Sequence, residues 1–417
     1  MNTQQPRSLD EEQDNERQPA ESEPLASSPA SWRPARRSAW RRSDLWFLFA
    51  TLLLGLFTLV ILPGGTTTQA KQGSVTQPNA VPTATGSAEP VATATSTTSP
   101  AFREYPFPQP NSQVMRLAVD HKGRVWFGEM GVNTLADFDP RTQVFQQMTP
   151  PEGHSGIMGI QVASDDTIWF AEQYANYIGH YFPATGRFQI YRLPTLTVPN
   201  PSSPGKTMTL PSAPNDLAID AHGNIWFTEL NAGAVGKLDP RTGHFTHYPL
   251  GKTLPDQQFN PYGIAVDPLG MVWFTEISAD HLGRLDPMTG KITYFTKPGD
   301  TQALMEIASG RDGTIWATSF SSNVLLRFDP RTGTFTSYHP TASQAVGMYG
   351  LVVSPAGGVW VTLLAENSLA RLDVATGRFT FYPVPTPNSE PLALAVGADQ
   401  TLWFTEIDKL GMLHVVV

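Results

Sequence analysis

Residues Pro261 to Glu276 read PYGIAVDPLGMVWFTE, and six other stretches of the chain are variants of the same phrase. The runs YGIAVD and MVWFTE are rich in β-branched and aromatic residues and flank the turn PLG, as two antiparallel strands would. Working outward, LGRLD and, after the turn PMTG, KITYFTK add two more strands to the unit. Aligned on tryptophan, the copies fall at Trp126, Trp169, Trp226, Trp273, Trp316, Trp360 and Trp403, at intervals of 43, 57, 47, 43, 44 and 43 residues. Four short strands in each such interval match a propeller blade. The expected fold is therefore all-β, a seven-bladed β-propeller.

The chain ends supply a second argument. The seventh unit stops after its third strand, LGMLHVVV, whereas Phe102-Arg-Glu-Tyr105-Pro106 copies the fourth-strand pattern of Phe245-Thr-His-Tyr248-Pro249. Residues 102 to 107 are thus expected to complete the last blade and leave no radial edge unpaired. In an antiparallel meander alternate connections share a side. The first-to-second and third-to-fourth turns then define a bottom face, and the second-to-third loops and blade-to-blade connections a top face. The insertion Pro194 to Pro214 explains the 57-residue interval and falls at the top.

The propeller, residues 102–417, begins late. Residues 1–43 are polar and Pro-rich, with too little apolar surface to offset ordering entropy, and read as a disordered tail. Within 44–63, Leu45 to Leu62 is 18 residues without a charge, long enough as a helix to span a bilayer core of roughly 30 Å. Arg33, Arg36, Arg37, Arg41 and Arg42 precede it and only Lys71 follows within 25 residues, so the tail is expected in the cytoplasm and the propeller outside the cell membrane. A cleaved signal peptide, the alternative, would have a shorter apolar region and an A-x-A-like site. Residues 64–101 are a Ser/Thr/Pro-rich stalk. The chain has no cysteine, which excludes disulfides and thiolate chemistry, and from residue 102 onward 20 basic side chains face 28 acidic ones, which offers nucleic acid no basic footprint.

Most of the repeated residues have a packing explanation. The tryptophans, with Phe127, Phe170, Phe227, Phe274 and Phe404 beside them, fill the wedge between blades. The DPRTG turns at Asp239 and Asp329 lack the alternating carboxylates of a calcium loop and read as Asp-capped turns. The glutamate three residues after each tryptophan (Glu129, Glu172, Glu229, Glu276 and Glu406) leaves two options. Either it bonds neighbouring loop N–H groups, or the acids converge and need a cation or raised pKa values.

The residue eleven before each tryptophan and the one after it form a collar at the top of the channel. It runs Met115-Arg116, Met158-Gly159, Asn215-Asp216, Tyr262-Gly263, Met305-Glu306, Tyr349-Gly350 and Leu392-Ala393. A concave site with a few polar groups is where a ligand should sit. The ligand-contacting candidates are Arg116, Met158, Asn215, Asp216, Tyr262, Met305, Glu306 and Tyr349. Asp216 with Glu229 and Glu276, on consecutive blades, could hold Mg²⁺ or Ca²⁺.

The pattern P-x-G-I-x-x-D-x-x-G-x-[IV]-W-F-T-E followed by an [IL]-G-[RK]-[IL] strand resembles the virginiamycin B lyase (streptogramin lyase) family and, more distantly, the NHL repeats. The fit is best over Pro261 to Leu285 and Asp216 to Leu238. The resemblance implies a Mg²⁺-dependent elimination that opens a cyclic depsipeptide ester, with catalytic histidines in P-H-x motifs opening the last two blades. Those positions here are Tyr349 and Leu392, and neither side chain readily transfers a proton near neutral pH. His154, His281 and His339 lie on top-face connections, where a rearranged site could form. The expectation is a membrane-anchored extracytoplasmic module that binds a small molecule or a protein at the top of its channel. An active metal-dependent lyase is the alternative, and a scaffolding propeller a third.

Overall fold

The computed structural model describes residues 101–414 except 153–155, 201–202, 204, 255–256, 259, 279–280, 300, 302 and 341–346. The expected tail, membrane segment and stalk up to residue 100 lie outside the described residues. Among the described residues, no helix is long and apolar enough to cross a membrane.

Seven four-stranded antiparallel meanders make the blades. Blade four is typical: an inner strand Pro261–Val266, then Val272–Glu276, His281–Leu285 and an outer strand Ile292–Thr296. The last blade is completed from the other end of the chain. Ala101–Pro106 pairs in six consecutive registers with Lys409–His414, outside Leu402–Thr405 and Leu394–Val396. The closing strand begins one residue earlier than expected, and Phe107 leaves it to pack in the core with Phe127 and Trp403. The insertion before blade three is not a plain loop. It folds as a hairpin, Thr195–Pro199 against Thr207–Pro211. A second, smaller hairpin (Lys252–Leu254 with Gln257–Gln258) precedes blade four.

The repeated letters now have physical causes. Tryptophan and phenylalanine are neighbours on one strand and so point to opposite faces. Each tryptophan, 5% exposed or less, packs on the following blade: Trp226 with Phe274, Trp360 with Phe404, and Trp403 across the closure with Phe127. The phenylalanine also lies over its partner on the third strand. A Cβ on Gly283 would sit 2.0 Å from the Phe274 ring, and one on Gly236 2.2 Å from Phe227. The size rule holds in blades five and six, where the sequence departs from the pattern, whereas blade one keeps Phe127 over Ala136. Blade five pairs Ala317 with Leu326, and blade six pairs Val361 with Ala370. In blades one, three and four the aspartate that follows the inner strand ties the blade's first turn. In Asp120, Asp220 and Asp267, Oδ2 accepts from the tryptophan Nε1–H at 2.9 Å, and Oδ1 accepts two turn N–H groups at 2.9 Å.

The DPRTG segments are turns, as read. Asp239 and Asp329 each accept the N–H two residues on at 3.0 Å, and Gly243 and Gly333 take φ of 71° and 69°. The two faces also hold. Second-to-third loops bond the residues that lead into the inner strands, as in Leu230 N–H to Ala213 O and Phe320 N–H to Ala303 O.

Candidate functional site at the top of the channel

In six blades the inner strand slips register against the second strand across its first positions, for example between Pro214 and Leu217 and between Pro261 and Ile264. A β-bulge of this kind re-aims side chains. Here it presents the collar to the axis. Packing sets which blades contribute. A Cβ on Gly159, Gly263 or Gly350 would meet backbone of the next blade at 2.9 Å or less, so blades two, four and six carry glycine. Blades one, three and five carry Arg116, Asp216 and Glu306 at the same position.

These three side chains meet. Arg116 donates to Glu306 through Nη2 at 2.7 Å and Nε at 3.3 Å, and Nε also lies 3.3 Å from Asp216 Oδ1. Its Nη1 donates to Met158 O at 3.3 Å, and its guanidinium carbon lies 5.1 Å from the centre of the Tyr262 ring. The Tyr262 and Tyr349 hydroxyls are 2.7 Å apart, and Tyr349 in turn bonds Glu306. Asp216 accepts from Leu217 N–H at 2.9 Å and Ile264 N–H at 3.1 Å. Of the eight expected ligand-contacting residues, five therefore form one network contributed by five blades. Asn215 adjoins it by donating to Tyr262 O, Met158 joins through its carbonyl, and Met305 is buried with its carbonyl accepting from Thr275.

Burial dominates the electrostatics. It pushes Glu306 up to about 7 although Arg116 opposes it, and it raises Asp216 as well. Arg116 is itself desolvated, yet the charges of Asp216 and Glu306 hold it well above its ordinary value. Tyr262 is pushed up to about 12, and Tyr349 well above its usual range, both chiefly by burial.

The glutamates after each tryptophan lie elsewhere. Glu129, Glu172, Glu229 and Glu276 are wholly buried, and each has a partner in the outer part of its own blade or its loops. Ser112 Oγ donates to Glu129 at 2.7 Å, Tyr177 OH to Glu172 at 3.0 Å and Asn260 N–H to Glu276 at 2.8 Å, and His247 Nδ1 lies 2.7 Å from Glu229. The hydrogen bond to Glu229 raises His247 against the effect of burial. Burial pushes Glu276 up to about 8. Among the described residues no group of three or more His, Asp or Glu is placed to hold a metal. Asp216, Glu229 and Glu276 are turned to three different partners (Arg116, His247 and Asn260) and do not fit a shared Mg²⁺ or Ca²⁺ as they stand. His154 lies outside the described residues. His281 opens the third strand of blade four with its ring 5.6 Å from Tyr294, and His339 follows the outer strand of blade five.

Sequence reasoning missed the threonine of WFTE. Thr228, Thr275, Thr318, Thr362 and Thr405 each accept the N–H of the collar residue ten positions before their blade's tryptophan. Each also donates to the carbonyl of the next blade: Thr228 to Tyr262 O at 2.8 Å, Thr318 to Tyr349 O at 2.9 Å and Thr362 to Leu392 O at 2.8 Å. Blades one and two have Gly128 and Ala171 there. The recurrence of threonine beside a strand that must bulge was the available signal.

Comparison with known proteins agrees with this architecture. The Virginiamycin B lyase family matches over residues 196–415. A solved streptogramin B lyase is 26% identical, with a TM-score of 0.67, covering 76% of this chain and 98% of its own. Virginiamycin B lyase from Staphylococcus aureus is 24% identical, with a TM-score of 0.66, covering 76% of this chain and 100% of its own. The extracellular domain of a hybrid two-component system from B. thetaiotaomicron shares the fold at 19% identity and a TM-score of 0.58, covering 76% of this chain and 43% of its own. No curated protein matches. With more than half of its residues matched and its seven blades closed in the same way as its repeat requires, the chain belongs to the virginiamycin B lyase family.

Proposed function

We propose that this family member is a membrane-anchored, extracytoplasmic binding module that takes a small molecule or protein ligand at the top of its channel. The observation that carries the reading is Tyr349. It stands where the family resemblance expects a catalytic histidine, and it is buried, bonded to Tyr262 and Glu306, and raised well above its usual pKa range. The other such position, Leu392, has no proton to transfer. One observation favours the alternative, a lyase: Glu306, at about 7 and touching Tyr349, has the pKa of a general acid or base.

The test is an assay of the full chain for ring opening of a streptogramin B antibiotic, alongside a thermal-shift screen of small molecules. A binding module gives no turnover and a saturable rise in melting temperature with its ligand. Turnover that disappears in Glu306→Gln establishes the lyase instead. The topology rests on the sequence, and is checked by adding protease to intact cells. Release of a soluble propeller fragment supports an external domain, and full protection overturns it.

A further inference from the structure

The bottom face carries the two most exposed large apolar side chains among the described residues. Leu269 is 83% exposed and Met288 94%, at the tips of the first-to-second and third-to-fourth turns of blade four. Each breaks the local pattern. Met288 stands where the turns of blades three and five carry Arg241 and Arg331, and Leu269 where they carry His222 and Asp312. Neither tip packs in a core of its blade, and each leaves in water apolar area that a covering surface would remove.

Around these tips the charges are sorted by height. Arg141, Arg241 and Arg331 of the DPR turns are each at least 70% exposed, whereas their aspartates, Asp139, Asp239 and Asp329, are at most 24% exposed and hold turn N–H groups. Each guanidinium rests on its own aspartate, an exposed pair that contributes little. It is free to turn to an anion below the face while the aspartate stays bonded to the backbone. Blades three, four and five thus present, in ring order, Arg241, the Leu269 and Met288 tips, and Arg331. Arginines beside apolar tips suit a surface that is anionic outside and apolar just beneath, which is a phospholipid headgroup layer.

Ala101 enters the propeller at this same face, and only residues 63–100 separate it from the uncharged segment Leu45 to Leu62. A tether of that length sets an effective lipid concentration on the order of millimolar, so weak contacts suffice. The propeller as a whole has more acidic than basic side chains, so the arginine turns orient it at the surface rather than draw it there from a distance.

We propose that the bottom face docks on an anionic phospholipid surface, with Arg141, Arg241 and Arg331 on lipid phosphates and Leu269 and Met288 at headgroup depth. The proposal rests on the membrane-anchored reading and adds an orientation to it. Docked in this way, the propeller keeps the collar on its opposite face open to ligand.

The chain has no cysteine, so Met288→Cys in the full chain accepts a single environment-sensitive fluorophore, and Tyr174→Cys, on an exposed top-face loop, is the control. Both are reconstituted in phosphatidylcholine vesicles with and without phosphatidylglycerol. The expected result is a blue shift at position 288 only with phosphatidylglycerol, reversed by high salt, and none at position 174. Adding Arg141→Gln, Arg241→Gln and Arg331→Gln to Met288→Cys, with the melting temperature as a check on folding, should lower the docked-to-free ratio roughly a hundred-fold. Emission at position 288 that ignores lipid charge, or a shift that the arginine variant retains in full, overturns the proposal, as does an equal shift at position 174. A shift that follows protein concentration rather than lipid charge assigns the patch to another copy of the chain and overturns it too. A chain that does not float with the vesicles overturns the anchor and the docking together, whereas one that floats with position 288 still in water overturns the docking alone.

Discussion

Glu276 and Glu229 occupy the same place in adjacent blades and solve burial differently. Glu229 faces His247, an imidazole that its carboxylate holds above the ordinary pKa, whereas Glu276 receives a single backbone N–H and is pushed up to about 8 by burial. The folded-state pKa of Glu276 exceeds its unfolded value of about 4.5, so its contribution is fully present below that value and is lost as pH rises towards 8. By pH 7 the loss amounts to about 3 kcal/mol. Glu276→Gln should therefore flatten the decline in stability between pH 5 and 8, as measured by urea unfolding at a series of pH values. Glu229→Gln removes a charge-assisted bond, and should instead cost about 1.5–3 kcal/mol at pH 6. Identical pH profiles for the two variants would show that the two acids are equivalent.

At the scale of strands, the blade is held by a complementarity of size that repeats with its values exchanged. Phe274 leaves no room for a Cβ on Gly283, Val361 pairs with Ala370 and Ala317 with Leu326, whereas blade one accommodates Ala136 beneath Phe127. Gly283→Ala should cost about 1–3 kcal/mol through overpacking, and Phe274→Val about as much through the cavity it leaves. The double variant reproduces the pair of blade six, and its loss should fall short of the sum by at least about 0.5 kcal/mol. Additive losses in a double-mutant cycle would remove the size rule. Such elements were legible in the sequence because their causes are local: strand period, turn residues and the spacing of Trp repeat in every copy. The collar was legible only as a set of positions. That Arg116 of blade one would reach Glu306 of blade five depends on ring closure and on glycines in the blades between, and neither leaves a mark within one repeat. The glutamates left two options for the opposite reason, since five equal letters are compatible with convergence, and four of them find a partner in their own blade or its loops.

For the whole molecule the decisive contact is the one that makes a linear repeat into a ring. Ala101 pairs with His414 and Pro106 with Lys409, so the chain enters the propeller at the bottom rim and runs up the outside of blade seven. Besides six register pairs, this strand supplies Phe102 and Tyr105, whose rings lie 6.1 Å from Phe404 and 6.3 Å from Trp403. It also supplies Glu104, which accepts from Thr386 Oγ1 at 2.7 Å and pairs with Lys409 at 3.2 Å, tying the closing strand to the loop before the last blade. These contacts join the two ends of the propeller, and they form only when all seven blades are in place. A chain beginning at Gln109 keeps the tryptophan of every blade but exposes the edge at Lys409–His414, where the buried Leu410 and Leu413 invite pairing with another molecule. Relative to a chain beginning at residue 100 it should lose about 3–5 kcal/mol, at least what removing one large buried aromatic costs, and should associate in a concentration-dependent way. Melting temperature and sedimentation measured over a range of concentrations decide the matter. Equal stability and a monomeric state for both chains would mean that the ring is held by the interfaces between blades alone.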